Sequence, residues 1–239
     1  MKISIFQNTD EANSAAADRL AIWLSDPTTR TVMPAAGNTP IELSRRIAEK
    51  RMDLAHLKIF TLDEYVGVPL SEPRNCTGLL RGSVAEAWGI LEKQFFWISS
   101  IEEKALPSVQ EHEERIRKEG GLDVLALGLG QNGHLGFNEP GSTENSEARV
   151  LDLQPVSVEA NRKWFGGKHS PDKGVTVGLR TILEARHILI MAYGEHKAEA
   201  VRGMIQGPRD PRCPASFLQG HPDVHVFLDA EAAARLDFL

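Results

Sequence analysis

The sequence predicts an α/β fold in which one largely parallel β-sheet has helices on both faces. Short apolar runs alternate with longer amphipathic stretches along the chain, a pattern typical of strands joined by helices. Several of the apolar runs consist mainly of Val, Ile and Leu, as in strands that are covered on both faces. The 239 residues, 41% of them hydrophobic, suffice for the core of one large Rossmann-like domain, which we expect to span residues 1–239.

Each predicted strand is short and apolar, and each predicted helix has a clear face or a clear end. The strands are Lys2–Phe6, Thr31–Met33, Leu57–Leu62, Val124–Leu129, Gly174–Val177, His187–Ala192 and Val224–Leu228. The first predicted helix has Ala12, Ala16, Leu20 and Trp23 on its apolar face, and the second starts near Ile41. The third is Glu111–Glu119. The fourth is Glu195–Ile205, which is ended by Gly207 and Pro208.

Composition excludes several classes of protein. The formal net charge is −6 and there is no run of Lys or Arg, so a nucleic-acid partner is not expected. The two cysteines, Cys76 and Cys213, are far apart and form no Cys-x-x-Cys pair, so neither a zinc site nor a redox dithiol is expected. The polar N-terminus and the lack of a run of roughly 20 apolar residues predict a cytoplasmic protein with no membrane partner.

A glycine-rich loop follows the predicted strand Val124–Leu129. It matches Gly-x-Gly-x-x-Gly formally, but the glycines and the proline of residues 136–141 make the long helix of a dinucleotide site improbable, so no nucleotide cofactor is expected. The loop also carries His134, Glu139 and Asn132. A histidine can exchange a proton near neutral pH, and a nearby carboxylate can fix its tautomer. The alternative is a structural histidine bonded to a backbone carbonyl.

Another candidate, Asp63, lies at the mouth of the predicted strand Leu57–Leu62. Partial burial there would raise the pKa of its carboxyl group into a range that suits a general base. The alternative is an aspartate that caps a helix or turn.

Two further segments are candidates for an anion site. Gly37, Asn38 and Thr39 precede a predicted helix, for which Thr39 is the expected N-cap residue, and free backbone N–H groups at a helix start attract phosphate. Lys197 lies near the start of another predicted helix and can reach a phosphate as a point charge. The alternatives are an ordinary capped helix and a solvated lysine.

Taken together, these loops resemble the glucosamine-6-phosphate deaminase family over most of the chain. The segment from His134 to Pro140 is the most specific part, because the related 6-phosphogluconolactonases share the Gly-His but lack the Phe-Asn-Glu-Pro continuation. The resemblance is carried by Leu62–Gly67, Gly128–Gly141, Gly37–Pro40 and Gly194–Lys197.

The resemblance implies an amino-sugar 6-phosphate as the small-molecule substrate, and no metal or other cofactor. His134 would open the pyranose ring, with Glu139 and Asn132 orienting it. Asp63 would move a proton from C2 to C1, after which water adds at C2 and ammonia leaves. The backbone of residues 37–39, together with Lys197, would hold the phosphate.

Four positions depart from the family pattern. Asn132 stands where some members have an acid, and Ala36 replaces a hydroxyl residue of the phosphate loop. Lys163 falls where the family has an active-site arginine, and Arg162 next to it is the other candidate for contact with substrate. Leu151 replaces the lysine of members that are activated by an amino-sugar phosphate, so activation of that kind is not expected.

Three interpretations of the function remain open from the sequence. The first is deamination of a glucosamine or a galactosamine 6-phosphate, which the sequence does not separate. The second is a 6-phosphogluconolactonase, and the third is a non-catalytic sugar-phosphate sensor. The polar segment of residues 145–167 is expected to act as a mobile lid, and a homo-oligomer is possible.

Overall fold

The computed structural model describes residues 1–237 and contains two β-sheets with helices packed around them. The strands are β1 (Lys2–Phe6), β2 (Thr31–Pro34), β3 (Lys58–Phe60), β4 (Asp63–Tyr65), β5 (Phe95–Phe96), β6 (Val124–Gly128), β7 (Arg149–Asp152), β8 (Lys173–Thr176), β9 (His187–Ala192) and β10 (Val224–Asp229). The helices are α1 (Thr9–Leu24), α2 (Asn38–Glu49), α3 (Cys76–Leu80), α4 (Glu102–Lys118), α5 (Pro155–Trp164), α6 (Leu179–Leu183) and α7 (Ala198–Ile205).

The larger sheet is parallel throughout and has the strand order β1-β10-β9-β6-β2-β3-β5. Successive side chains of a strand point to opposite faces, and here both faces are apolar. In β6, Leu125 and Leu127 belong to one core cluster, whereas Val124 and Ala126 belong to the other. This arrangement confirms the predicted α/β fold with helices on both faces of the sheet.

The strand order also determines where a ligand can bind. From β2 the chain proceeds to β3 and β5 on one side, then returns to β6 on the other side of β2 and continues to β9 and β10. The connections therefore diverge beyond the carboxyl ends of β2 and β6, which is where open α/β sheets form their ligand crevice.

Two predicted strands differ from the structure in a way that matters for the site. The run Leu57–Leu62 yields only β3, after which the chain bends, and β4 starts at Asp63 in a second sheet. The predicted strand Gly174–Val177 corresponds to β8, which lies in that antiparallel sheet of order β4-β8-β7. The short strands β5 and β7 have no predicted counterpart.

Two helices start earlier than the predicted segments, whereas α7 starts at Ala198, after a 3-10 turn over Glu195–Lys197. Helix α4 begins at Glu102 and contains Pro107, so the predicted segment Glu111–Glu119 covers only its second half. Helix α2 begins at Asn38 with Gly37 as the N-cap, so the prediction of Thr39 as the N-cap is wrong. No helix within residues 1–237 is long and apolar enough to span a membrane.

Candidate active site

Loops at the carboxyl ends of β2, β6 and β9, together with β4 and α5, surround a cleft of about 450 Å³. It lies at the crevice that the strand order predicts. The sequence-predicted residues that line this cleft are Gly37, Asn38, Thr39, Asp63, His134 and Lys197. Turns that are far apart in sequence thus bring a carboxylate, an imidazole and an ammonium group to one cavity.

Asp63 is the first residue of β4, where its backbone pairs with Thr176 of β8. The residue is only 7% exposed although it lines the cleft. Burial raises the pKa of Asp63 to about 7, with the charge of Glu64 adding to the rise and the thiol of Cys76 opposing it. A carboxyl group with this pKa is divided between its acid and its base form near neutral pH, which suits reversible proton transfer.

The neighbouring carboxylate, Glu64, has a structural role that the sequence did not indicate. It is fully buried and accepts hydrogen bonds from the backbone N–H groups of Tyr65 (2.8 Å), Cys76 (3.1 Å) and Thr77 (2.8 Å). Burial raises the pKa of Glu64, and the N–H groups partly counteract the rise. Because Glu64 ties the start of α3 to β4, it places Cys76 beside Asp63.

His134 occupies the glycine-rich loop after β6, and the loop is shaped around its ring. A Cβ atom at Gly130 would lie 2.4 Å from the imidazole, so residue 130 must be glycine for the ring to keep this position. Gly133 has φ 82°, in the left-handed region that glycine adopts readily. Gly130 therefore makes room for the imidazole ring, and Gly133 allows the turn that precedes it.

Glu139 lies behind the ring, buried and away from the cleft. Its Oε2 is 3.3 Å from Nδ1 of His134, within ion-pair range, although Nδ1 has no aligned hydrogen-bond partner within the described residues. Asn132 donates to the same Oε2 at 2.6 Å, and the hydroxyl of Ser157 donates to Oε1. Burial alone would raise the pKa of Glu139, but His134, Ser157 and Asn132 hold it below its ordinary value.

The remainder of this loop is held by side-chain hydrogen bonds. Asn138 donates to the carbonyls of Leu135 (3.1 Å) and Val177 (3.0 Å) and accepts from Arg149 at 3.0 Å. Arg149 also donates to Ser142 at 2.6 Å. The Asn-Glu-Pro segment is thus fixed to β7 and β8, which keeps Glu139 behind the histidine.

The cleft also offers donors for an anion. Gly37 has φ 128°, which a side chain would strain, and the first turn of α2 contains no acidic residue and no side-chain cap. Backbone N–H groups of the helix start therefore remain available beside the cleft. Lys197 donates to the carbonyl of Leu129 at 2.7 Å, and burial lowers the pKa of its amine to about 8.

The structure does not bring Arg162 to the cleft. Arg162 points away along α5 and makes two 3.0 Å contacts with Glu159. Lys163 lies 3.4 Å from the same carboxylate, and its side chain is 73% exposed. Lys163 lines an outer recess at the cleft mouth, which is formed by Asn38, Arg74, Gln131, Val156, Glu159, Ala160, Lys163 and Trp164.

Helix α5 provides most of the cleft residues that the sequence did not predict. It forms one wall of the cleft through Val156, Ser157, Ala160, Asn161 and Trp164. The segment of residues 145–167, predicted as a lid, therefore contains a strand and a helix, and its mobility stays a prediction. Among residues 1–237, no group of three or more His, Cys, Asp and Glu side chains is placed to hold a metal ion.

Known proteins resemble this chain over nearly its full length. The model of the family described as glucosamine-6-phosphate isomerases/6-phosphogluconolactonase matches residues 7–226. The glucosamine-6-phosphate deaminase of Corynebacterium kroppenstedtii is 36% identical over 242 residues, covering 99% of this chain and 93% of that protein. The deaminase of Streptococcus pneumoniae is 32% identical over 238 residues, covering 99% of this chain and all of that protein.

Solved structures agree with these sequence relationships. A monomeric glucosamine-6-phosphate deaminase superposes with a TM-score of 0.93 at 29% identity, over 98% of this chain and 99% of that one. The 6-phosphogluconolactonase of Trypanosoma cruzi superposes with a TM-score of 0.80 at 22% identity, over 99% of this chain and 97% of that one, a likeness of fold. This chain therefore belongs to the family of glucosamine-6-phosphate isomerases and 6-phosphogluconolactonases.

Proposed function

We propose that this protein is an amino-sugar-phosphate deaminase that converts glucosamine 6-phosphate and water into fructose 6-phosphate and ammonia. The observation that carries the proposal is that Asp63 and His134 line one cleft together with the start of α2 and Lys197. The relatives that are 32–36% identical over nearly the whole chain, all glucosamine-6-phosphate deaminases, support the reaction and favour the glucosamine substrate over its C4 epimer.

The phosphate end of the cleft would fix the substrate. The backbone N–H groups of Asn38 and Thr39, at the positive end of the α2 dipole, suit the phosphate charge. Lys197 adds a buried ammonium group, and a bound phosphate dianion would raise its lowered pKa and keep it protonated. The sugar then extends from the phosphate towards Asp63 and His134.

The first chemical step is opening of the pyranose ring. The imidazolium of His134 donates a proton to the ring oxygen as the C1–O5 bond breaks, and the resulting imidazole takes the proton of the C1 hydroxyl, which leaves an aldehyde at C1. Glu139 stabilises the imidazolium form, since its carboxylate lies 3.3 Å from Nδ1. Asn132 and Ser157 hold Glu139 in place.

Isomerisation and deamination follow. The carboxylate of Asp63 removes the C2 proton while the imidazolium of His134 protonates the C1 oxygen, which gives an enolamine. Asp63 then returns its proton to C1, so that C2 becomes an iminium carbon. Water adds at C2, the C–N bond breaks, and ammonia leaves behind the ketone. One base with a pKa of about 7 serves both proton transfers, because it is neither too weak to accept nor too strong to release.

We also propose that the main binding partner is the small-molecule substrate and that the protein is located in the cytoplasm. The acidic composition supports this, since a protein of net charge −6 with no basic run is poorly suited to nucleic acid or anionic membrane surfaces.

Product analysis tests the proposal directly. The protein is incubated in turn with glucosamine 6-phosphate, galactosamine 6-phosphate and 6-phosphogluconolactone. Ammonia, fructose or tagatose 6-phosphate and 6-phosphogluconate are then measured. We expect ammonia and fructose 6-phosphate in equal amounts from the first substrate and lactone hydrolysis no faster than without protein. Rapid lactone hydrolysis without ammonia release would contradict the proposal.

A further inference from the structure

A guanidinium group that the proposed mechanism does not use lies at the mouth of the cleft. Arg74 belongs to the turn between β4 and α3 and lines both the cleft and the outer recess. Its Nη1 donates to the backbone carbonyl of Trp164 at 2.7 Å, and the indole Nε1 of Trp164 donates back to the carbonyl of Arg74 at 2.8 Å. These two bonds hold the arginine against the end of α5.

The charge of Arg74 has no counter-ion within the described residues. The Lys and Arg side chains of the cleft wall are Arg74 and Lys197, and neither lies within 4.0 Å of a carboxylate of residues 1–237. By contrast, Arg162 and Lys163 on the neighbouring helix are both paired with Glu159. Two cations without carboxylate partners in one cleft indicate a site for an anion.

Asn38 fixes where that anion would lie. It is the first residue of α2, and it lines both the cleft, which Lys197 shares, and the outer recess, which Arg74 shares. An anion at the start of α2 would therefore share the cleft with Lys197 and Arg74 and the outer recess with Arg74. Nε and Nη2 of Arg74 make no hydrogen bond to residues 1–237, so both are free for oxygen atoms.

We propose that Arg74 binds the phosphate of the substrate, as the outer cation of a site formed with the start of α2 and Lys197. The inference rests on the proposed function, since it assigns a residue to the phosphate of that substrate. A planar guanidinium can contact two phosphate oxygens at once.

Binding of inorganic phosphate, measured by calorimetry at low salt, tests the inference without turnover. We expect Arg74→Gln to weaken phosphate binding about tenfold, since a charge-assisted contact at an exposed site has roughly this effect. Arg74→Lys should recover part of the loss because it keeps the charge. The matched control is Arg186→Gln, which changes an exposed arginine just before β9, at the other end of the sheet.

Steady-state kinetics with glucosamine 6-phosphate separate binding from a structural effect. For Arg74→Gln we expect KM to rise about tenfold while kcat stays within about twofold, because the phosphate lies far from the reacting carbons. Unchanged phosphate affinity in Arg74→Gln would overturn the inference. So would a fall in kcat with an unchanged KM, since Arg74 would then act only through its hold on α5.

Each of the two proposals can be contradicted while the other is supported. Phosphate binding that depends on Arg74 in a protein that releases no ammonia would support this inference and contradict the proposed function. Ammonia release by a protein whose phosphate affinity is unchanged in Arg74→Gln would support the proposed function and contradict this inference.

Discussion

Asp63 and Glu64 are adjacent buried carboxylates that differ in their hydrogen-bond partners. Glu64 is fully buried but accepts three backbone N–H groups, which offset the loss of water around its charge. Asp63 faces the cleft beside the Cys76 thiol, and burial raises its pKa to about 7. Desolvation therefore makes the ionised form of Asp63 costly in the folded protein, and the same desolvation makes it a competent base.

Replacement of this base should remove activity and increase stability. We expect Asp63→Asn to lower kcat by ~10²–10⁴-fold, as general-base removal does. The unfolded carboxyl group ionises near pH 3.8 and the folded one near pH 7, so rising pH in this interval weakens the wild-type fold. The amide of the Asp63→Asn variant carries no charge, so urea unfolding should show a gain of about 1–4 kcal/mol at pH 8 and little gain near pH 4.

The exposed Asp152→Asn is the control for this comparison and should alter neither quantity. A variant at position 63 that is less stable than wild type at pH 8, or that keeps near-full activity, would contradict the assignment of Asp63 as a desolvated base.

At the scale of elements, the glycine-rich loop and α5 act together on His134. The loop supplies His134 and Glu139, whereas α5 supplies Ser157, whose hydroxyl donates to Oε1 of Glu139. The helix that forms a wall of the cleft is thereby connected to the histidine through one buried carboxylate. Ser157 is a positioning residue in this account, since it acts on substrate through Glu139 and His134.

Loss of that hydroxyl should weaken catalysis but not phosphate binding. We expect Ser157→Ala to lower kcat roughly tenfold, because a hydrogen bond to a charged group is lost. Ser157→Thr should restore most of the rate, and the affinity for inorganic phosphate should stay the same in both variants. Ser83→Ala, which removes a hydroxyl that donates to the carbonyl of Leu79, is the control. A rate of Ser157→Ala equal to wild type would refute the coupling.

Element prediction succeeded where the local pattern was decisive. The strand at residues 187–192 agrees with prediction because a continuous apolar run suits a strand that is covered on both faces. The strand at residues 2–6 is also confirmed, although it lies at the edge of the sheet and is largely exposed. The first half of α4 was not predicted because a proline usually ends a helix, whereas here the helix continues through Pro107 from Glu102 to Lys118. The placement of β8 in a second sheet depends on its partners β4 and β7, which are distant in sequence, so no local pattern could reveal it.

At the scale of the whole molecule, the site exists because of the sheet order. Parallel strands β2, β6 and β9 are neighbours, so the loops that follow them emerge at one edge. The sequence allowed the prediction that Asp63 and His134 would meet, because each follows a buried strand. It contained no indication of Arg74 or Ser157, since an arginine in a turn and a serine in a helix are ordinary surface features until the fold brings them to a cleft.

The most direct test of the account is a crystal structure with 2-amino-2-deoxyglucitol 6-phosphate, an open-chain analogue that cannot react. We predict that its phosphate lies at the start of α2 against Lys197, with C2 within about 3.5 Å of a carboxylate oxygen of Asp63. A phosphate bound elsewhere, or a C2 atom that Asp63 cannot reach, would contradict the central claim that one cleft brings the base and the histidine to the same sugar phosphate.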